Sequence, residues 1–313
     1  MMASVIPGFE KTWTISANNA YTTAGTTAEA DNCYLLTAII NWMISNGWTF
    51  VGSGNGTGGT SSSSSFTWTN SLTTCFLGSA WVQLHNSTIG CYLLVQQNAT
   101  ATNYSFTWTV SASGWTGSIS ATSPGTAPGD ATSAGTATDP FGNATFSAKW
   151  HAWKSSDGYV TRIVVYVNSV PVFHFHAEKP TNPIGGTFPG FVIGVIQEGA
   201  NAFTVNNCLV ALWTSVSTYY WRSLNGSFAG SLIYYGSTGS LQTVAAANTY
   251  DGNWAILPVG ACNSGGFYFW FADLWCIASA LQEGCLLPAS PPYQVVVVGD
   301  LVLPWTNTPM QVV

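Results

Sequence analysis

Apolar residues near the start of the chain recur with the period of a helix, and after residue 47 they alternate as they do in strands. The helical stripe comprises Leu35, Leu36, Ile39, Ile40, Met43 and Ile44. Thr26 and Glu29 have the spacing of a capping box, and Gly47 can take the left-handed conformation that ends a helix. We therefore predict one amphipathic helix over about 27–46, with Thr37 mainly off its apolar stripe.

Beyond the helix, short alternating stretches separated by turn residues predict antiparallel strands. Trp48, Phe50 and Val51 begin the first, and residues 86–90 join two further strands as a hairpin. One such stretch has apolar residues alternating with polar ones, which indicates a half-buried strand: Tyr104, Phe106, Trp108 and Val110. The pattern predicts a mainly β fold, with antiparallel sandwich or barrel-like sheets and the N-terminal helix packed on a sheet.

Two tight turns, at Asp157-Gly158 and Asn168-Ser169, predict a meander between residues 146 and 178. The pairs that the two-residue second turn predicts are Val165 with Val172 and Val164 with Phe173. Both faces of the hairpin are apolar close to this turn. We therefore expect the sheet to be covered on both sides, by the helix, a second sheet or a neighbouring subunit.

The distribution of small and turn-forming residues predicts the domain organisation. Residues 52–65 are a Gly/Ser/Thr tract and are expected to form a loop. Residues 1–110 are expected to hold an N-terminal arm, the helix and a sheet, and residues 143–313 a β-rich region with a C-terminal arm. Residues 111–142, rich in Gly, Ser, Thr and Pro, are either a linker or a long loop, so one continuous domain is the alternative.

The composition narrows the possible partners. Charged residues make up 6% of the 313-residue chain and aromatic residues 14%, whereas about 25% of an ordinary protein is charged. Low charge and many aromatics are typical of the cores of interfaces, so we expect a homo-oligomer. Six scattered basic residues and a net charge of -6 argue against nucleic-acid binding. No apolar run predicts a membrane span, and residues 1–9 lack a signal-peptide pattern, so synthesis in the cytoplasm is expected.

One stretch has the residue types of a metal site. His174, His176 and Glu178 alternate on a predicted strand, so their side chains project from the same face. Imidazole and carboxylate groups in that arrangement could bind a metal ion. The alternative is a polar end of the sheet where Glu178 meets Lys179 or Arg162. We favour that alternative and predict no catalytic residues, cofactor or metal.

The twelve carboxylates offer other possible chemistry, including the paired acids of a glycosidase. Several of them, such as Asp157 before Gly158, are explained by turn formation. The fifteen tryptophans could stack on sugar rings, but in a β protein they more often form cores and interfaces. No nucleophile elbow, His-Glu-x-x-His or dinucleotide-binding pattern is present in the sequence.

Several of these segments in order resemble tailed-phage virion proteins. The segments that carry the resemblance are the helix end at 46–50, the Gly/Ser loop, the strand 80–84, Trp150 to Trp153, Asp157-Gly158 and the hairpin 164–176. The resemblance covers roughly residues 30–200 and supplies no catalytic residues. It implies a component of the particle, on the capsid surface or in the tail or baseplate.

Composition and resemblance lead to the same expectation. The first hypothesis is a non-enzymatic structural component of a phage virion, made in the host cytoplasm, which assembles with itself and with other virion proteins through apolar interfaces and its terminal arms. The second is a carbohydrate-binding adhesin or receptor-binding module whose partner is a host-surface glycan. The third is a glycosidase or a metal-dependent enzyme that uses the carboxylates or His174 and His176.

Overall fold

The computed structural model describes the parts of the chain that build three sheets and one helix. The described residues are 13–15, 19–22, 28–54, 80–98, 105–120, 123–138, 147–167, 170–180, 191–199, 202–203, 210–212, 220–223, 249–250, 253–263, 266–277, 285–288, 295–298 and 301–304. The predicted capping box at Thr26, the loop after residue 54 and the residues after 304 lie outside them.

The elements of the N-terminal part are β1 (Trp13–Ile15), β2 (Asn19–Thr22), α1 (Ala28–Ser45), β3 (Thr49–Gly54), β4 (Trp81–Asn86), β5 (Cys91–Asn98), β6 (Ser105–Ser111) and β7 (Thr132–Thr138). The next strands are β8 (Ser147–Ser155), β9 (Val160–Val167), β10 (Val170–Glu178), β11 (Phe191–Gly199), β12 (Ala202–Phe203) and β13 (Val210–Leu212). The last strands are β14 (Tyr220–Ser223), β15 (Thr249–Tyr250), β16 (Asn253–Asn263), β17 (Gly266–Ile277), β18 (Cys285–Pro288), β19 (Val295–Val298) and β20 (Leu301–Pro304). The predicted mainly β fold with one N-terminal helix is confirmed.

Helix α1 ends where the sequence predicts. Gly47 has a φ of 105°, and the Trp48 amide donates a hydrogen bond to the Met43 carbonyl across 3.1 Å. This bond closes a Schellman motif, which satisfies a carbonyl at the helix end and turns the chain into β3. The predicted stripe is buried from Leu35 to Met43. The expectation for Thr37 is wrong, because its side chain is fully buried as well.

A five-stranded antiparallel sheet runs in the order β3-β4-β5-β6-β7 among the described residues. The predicted hairpin is the β4–β5 pair, and Asn86 fixes its turn. The Asn86 side-chain oxygen accepts hydrogen bonds from the amides of Thr88 and Ile89, at 3.1 and 2.9 Å. Gly90 follows with a φ of 87°, a conformation that glycine takes at little cost. The loop expected from residue 52 begins later, because residues 52–54 belong to β3.

Residues 112–131, where described, form a long excursion between β6 and β7. The Asp130 carboxylate closes its base by accepting hydrogen bonds from the Ser111 hydroxyl and from the amides of Ala112 and Ser113, at 2.8, 2.9 and 3.0 Å. The linker or long loop expected here is therefore a loop that returns to the same sheet as β7, which pairs with β6. The division of the whole chain into domains stays a prediction.

The second sheet has the described order β1-β8-β9-β10-β11-β12, with β2 also paired to β8 and β13 to β11. The expected register of its β9–β10 hairpin is wrong. Val165 lies opposite Phe173 and Val164 opposite His174, because a β-bulge between Pro171 and Phe173 adds one residue to β10. A shift of one residue exchanges the two faces of a strand. The bulge therefore decides which side chains of β10 enter the core.

The two sheets pack face to face as a sandwich, with α1 contributing to the same core. Trp108 of the five-stranded sheet contacts Phe173 and Phe175 of β10, with 5.6 Å between ring centroids in each pair. Trp48 donates a hydrogen bond from its indole nitrogen to the Thr161 hydroxyl at 3.2 Å. The fixed indole partner and the interlocking rings hold the sheets in one relative position.

The C-terminal strands form a third described sheet in the order β14-β16-β17-β20-β19, with β15 and β18 also paired to β16. Two segments expected as arms pair inside the chain. The N-terminal strands β1 and β2 both pair with β8, and β20 pairs with β17 and β19. Within the described part of the chain, no helix is both long and apolar enough to cross a membrane.

Candidate functional site

The strongest polar feature is a buried cluster on the face of the β8–β11 sheet that turns away from the sandwich core. Phe173 and Phe175 point into the core, so the alternation of β10 places His174, His176 and Glu178 on the opposite face. This second face is also covered, since Phe271 of β17 lies edge-on to His176 with 5.4 Å between ring centroids. The expectation of a sheet covered on both sides is confirmed at this contact.

The bulge in β10 sets the partners of the cluster. It places Arg162 of β9 opposite His176, and Val160 opposite Glu178. In the register that the two-residue turn predicts, Thr161 would have been opposite His176. On the other side of His176 the neighbour in β11 is Gly194, which has no side chain. The cluster therefore depends on one irregular backbone position.

Arg162, His176 and Glu178 form a linear set of hydrogen bonds, which we call the triad. Arg162 Nε lies 3.1 Å from His176 Nδ1, and His176 Nε2 lies 3.0 Å from Glu178 Oε2. The guanidinium can only donate, so Nδ1 of His176 carries no proton and accepts. The ring proton is therefore on Nε2 and is donated to the Glu178 carboxylate. His176 is a neutral bridge between a cation and an anion.

The triad is almost completely removed from water. Arg162 is 0% exposed, and His176 and Glu178 are each 1% exposed. Burial lowers the pKa of His176 well below its ordinary value, and the charge of Arg162 lowers it further. Both effects disfavour a second positive charge in a region of low dielectric. The neutral form of His176 is thus the form that fits this site.

His174 and His151 extend the buried cluster across the sheet. The rings of His174 and His176 meet edge-on with 6.3 Å between centroids. Val164 lies between His174 and His151, opposite each of them in the neighbouring strand. Burial lowers the pKa of His174 well below its ordinary value, and repulsion from a protonated His176 and from Arg162 lowers it further. His174 and His176 are therefore both favoured as uncharged imidazoles.

The sequence candidates can now be placed. His174, His176 and Glu178 do share one face, but both ring nitrogens of His176 already make hydrogen bonds within the triad. Among the described residues no group of three or more His, Cys, Asp or Glu is arranged to hold a metal ion. The alternative, in which Glu178 meets Lys179 or Arg162, agrees with the geometry at Arg162, since His176 bridges the two side chains. Lys179 instead bonds through its backbone amide to the Tyr159 carbonyl at 2.9 Å.

Two of the carboxylates considered for sugar chemistry, Asp157 and Asp130, hold local turns and loops. Asp157 stabilises the β8–β9 turn, accepting a hydrogen bond from the Ser155 hydroxyl at 2.6 Å. Asp130 holds the base of the excursion. Its partial burial opposes ionisation, but hydrogen bonds from Ser111, Ser113 and Ala112 outweigh that effect and lower its pKa. Asp139, Asp251 and Glu283 lie outside the described residues.

Sequence reasoning named Arg162 only as a possible partner of Glu178, and it missed the roles of His151 and Phe271. A signal for Arg162 was present, because it is the one charged residue in the otherwise apolar strand Val160–Val167. A charge in such a strand must find a buried partner or face solvent. The contact with Phe271 joins residues 95 positions apart, and no local pattern predicts such a contact.

Comparisons of the chain with protein-family models, with curated proteins and with solved structures returned no match.

Proposed function

We propose that the chain is a non-enzymatic structural component of a phage virion that assembles with copies of itself through an apolar surface at β3. The observation that carries this proposal is the position of the exposed large hydrophobic side chains among the described residues. Phe50, Val51 and Ile119 are 39%, 36% and 42% exposed. We call the two consecutive residues, Phe50 and Val51, the β3 patch.

The patch lies at one edge of the five-stranded sheet. Phe50 and Val51 are consecutive in β3, the terminal strand in the described order. Phe50 lies opposite the core residue Leu84 and Gly52 lies opposite Gln83, so Ile119, whose Cγ2 would be 3.1 Å from a Cβ atom on Gly52, is on the other face. Apolar side chains gathered at one place on a surface, unlike scattered ones, are typical of contact sites.

The chemistry of the patch favours a second copy of the chain as its occupant. Residues 49–54 contain no charged group, so two copies related by a two-fold axis bring no like charges together. A bulge between Phe50 and Gly52 interrupts the edge, which disfavours continuous strand pairing. Contact through side chains is therefore the mode that we propose.

The buried triad supports a structural role over a catalytic one. Its hydrogen bonds are internal and its side chains are at most 1% exposed, whereas a catalytic group must reach its substrate.

The described terminal strands favour the β3 patch over the terminal arms as the assembly surface. Strands β1 and β2 each pair with β8 along one backbone edge, and β20 pairs with both β17 and β19. Assembly through the β3 patch is the version that the geometry favours.

The decisive experiment combines light scattering after size-exclusion chromatography with mass spectrometry of particles purified from the source. We expect a fixed oligomer and a stoichiometric presence in particles. Phe50→Asp should reduce the oligomer, whereas Ser87→Asp, which adds the same charge at an exposed turn, should not. A stable monomer that is absent from particles would overturn the virion proposal. An oligomer unaffected by Phe50→Asp would overturn only the assignment of the β3 patch.

A further inference from the structure

We propose that the triad is an acid-sensitive switch: protonation of His176 breaks its bond to Arg162 and loosens the contact between β10 and β17. The switch is a property of the fold and does not depend on the virion proposal. It rests on the charges and hydrogen bonds of three buried side chains.

The charge balance of the triad holds only while His176 is neutral. Arg162 contributes one positive charge and Glu178 one negative charge, and the histidine between them adds none. A second proton on His176 gives these three side chains a net positive charge in a site that is at most 1% exposed. A net charge is costly in a region of low dielectric, so the site must open to water or release the proton.

The hydrogen-bond directions make the same event incompatible with the closed geometry. The only ring nitrogen that can take a second proton is Nδ1, which accepts the hydrogen bond from Arg162 Nε at 3.1 Å. Once protonated, Nδ1 becomes a donor that faces another donor. Two cationic groups would then stand in contact. The bond to Arg162 cannot survive this change.

Titratable and charged groups around His176 lie on β10 itself and on the elements next to it. β10 contributes His174 and Glu178, and β8 contributes His151, whose protonation would add positive charge. The positions opposite His176 and His174 in β11 are Gly194 and Ile196. Other charged residues on these elements are Lys149 and Lys154 of β8, Glu198 of β11, Asp273 of β17 and Asp157 of the β8–β9 turn. Asp157 is exposed and bonded to Ser155.

The strand that covers the triad provides the moving contact. Phe271 of β17 is fully buried and lies edge-on to the His176 ring. An imidazolium that seeks water must displace this phenylalanine, because β9 and β11 flank β10 within the sheet. The opposite face of β10 is held by Trp108 against Phe173 and Phe175. We therefore expect opening on the β17 side, with the sandwich core intact.

The test is hydrogen–deuterium exchange by mass spectrometry on the full chain at pH 7.5, 6.5 and 5.5, with each rate corrected for intrinsic exchange. If opening binds one proton, the opening constant of β10 and β17 amides rises about tenfold per pH unit below pH 6.5. Strand β6, on the other sheet, contains no Asp, Glu or His and serves as the internal reference, which should show no such rise. An equal rise in that strand would indicate global unfolding and would overturn the switch, as would a flat profile in β10.

Variants assign the proton to its site. In a folded His176→Gln variant, the opening constant of the β10 amides should no longer depend on pH. His85→Gln removes a titrating histidine from the other sheet and should keep this pH dependence, which we call the slope. Arg162→Gln provides a second route if His176→Gln does not fold. Without the guanidinium, a protonated His176 can pair with Glu178, so the slope should fall. A slope that persists in His176→Gln but disappears in Asp273→Asn would assign the proton to Asp273 and overturn the proposal.

Discussion

Arg162 and His176 lie directly opposite each other on β9 and β10, with 3.1 Å between Nε and Nδ1. This pairing exists because one bulged residue before Phe173 shifts the register of β10. The same shift places two phenylalanines in the sandwich core. Core packing on one face of β10 and polar pairing on its other face both depend on this bulge. A substitution that removes the bulge should therefore disturb the packing and the pairing together.

Replacing Arg162 by lysine should destabilise the protein, although the positive charge is kept. Lysine lacks the planar guanidinium whose fixed geometry places an N–H group against His176 Nδ1, and its ammonium loses more hydration free energy on burial. We expect a loss of about 1.5–3 kcal/mol in the free energy of unfolding, as for a hydrogen bond to a charged group. Urea denaturation at pH 7.5 measures it. Lys154→Arg, at a half-buried position of β8, is the matched control. A change below about 0.5 kcal/mol for Arg162→Lys, within the range of ordinary surface substitutions, would contradict the assigned bond.

Acid should weaken the folded state before ordinary carboxylates titrate. The pKa values of His174 and His176 are lowered in the folded state, so the unfolded chain binds protons below pH 6.5 that the folded chain does not. The free energy of unfolding should be constant above this pH and should fall by about 1.4 kcal/mol per pH unit for each histidine below it. Urea titrations at pH 7.5, 6.5 and 5.5 test this expectation. The variant His174→Gln should show a smaller slope, and an unchanged slope would remove His174 from the explanation.

Two glycines with the same backbone conformation should respond differently to alanine. Gly90 has a φ of 87°, and a Cβ atom there would meet nothing within 4 Å. Gly90→Ala should therefore cost only the backbone strain, about 1–2 kcal/mol. Gly125 has a φ of 96°, but its Cβ atom would be 2.7 Å from the Thr116 carbonyl oxygen. Gly125→Ala should therefore lower the melting temperature of the protein by more than Gly90→Ala does. Equal effects would indicate that the bridge between Thr116 and Thr126 adapts freely.

The bond between Trp48 and Thr161 should contribute measurably to the contact between the sheets. Thr161→Val removes the acceptor and leaves the buried indole N–H of Trp48 without its partner, which costs about 1–3 kcal/mol. Thr161→Ser retains the hydroxyl, loses only a methyl group and should cost less. Denaturant unfolding of the two variants decides this. Equal destabilisation by both would contradict the assigned contribution of the hydrogen bond.

Local features of the fold were predictable from the sequence, because each depends on a few adjacent residues. The stripe and glycine end of α1 are examples, as are the turns at Asn86 and Asp157, whose side chains bond to nearby groups. Thr37 was mispredicted because its burial depends on what covers the other side of the helix. The pattern of hydrophobic residues shows only that Thr37 is polar, and it does not show what packs against it.

The candidate site was only partly predictable. The spacing of His174, His176 and Glu178 correctly placed them on one face, which is a property of a strand. It could not indicate which face, because that depends on the bulge, and the turn alone favoured the other register. Nor could it distinguish a metal site from an internal bridge, since the difference is set by Arg162 from another strand. Long-range geometry therefore decided the chemistry.

The pairing of the N-terminal strands with β8 has a consequence during synthesis. Asn19 of β2 pairs with Trp150 of β8, so 131 further residues must be translated before its partner exists. At ~5–20 residues per second the early strands wait on the order of ten seconds on the ribosome without their native partner. The hairpins β4–β5 and β8–β9 need no such delay, because their strands follow each other directly. Cotranslational folding should therefore begin in the interior of the chain, and its first segment should join the native sheet late.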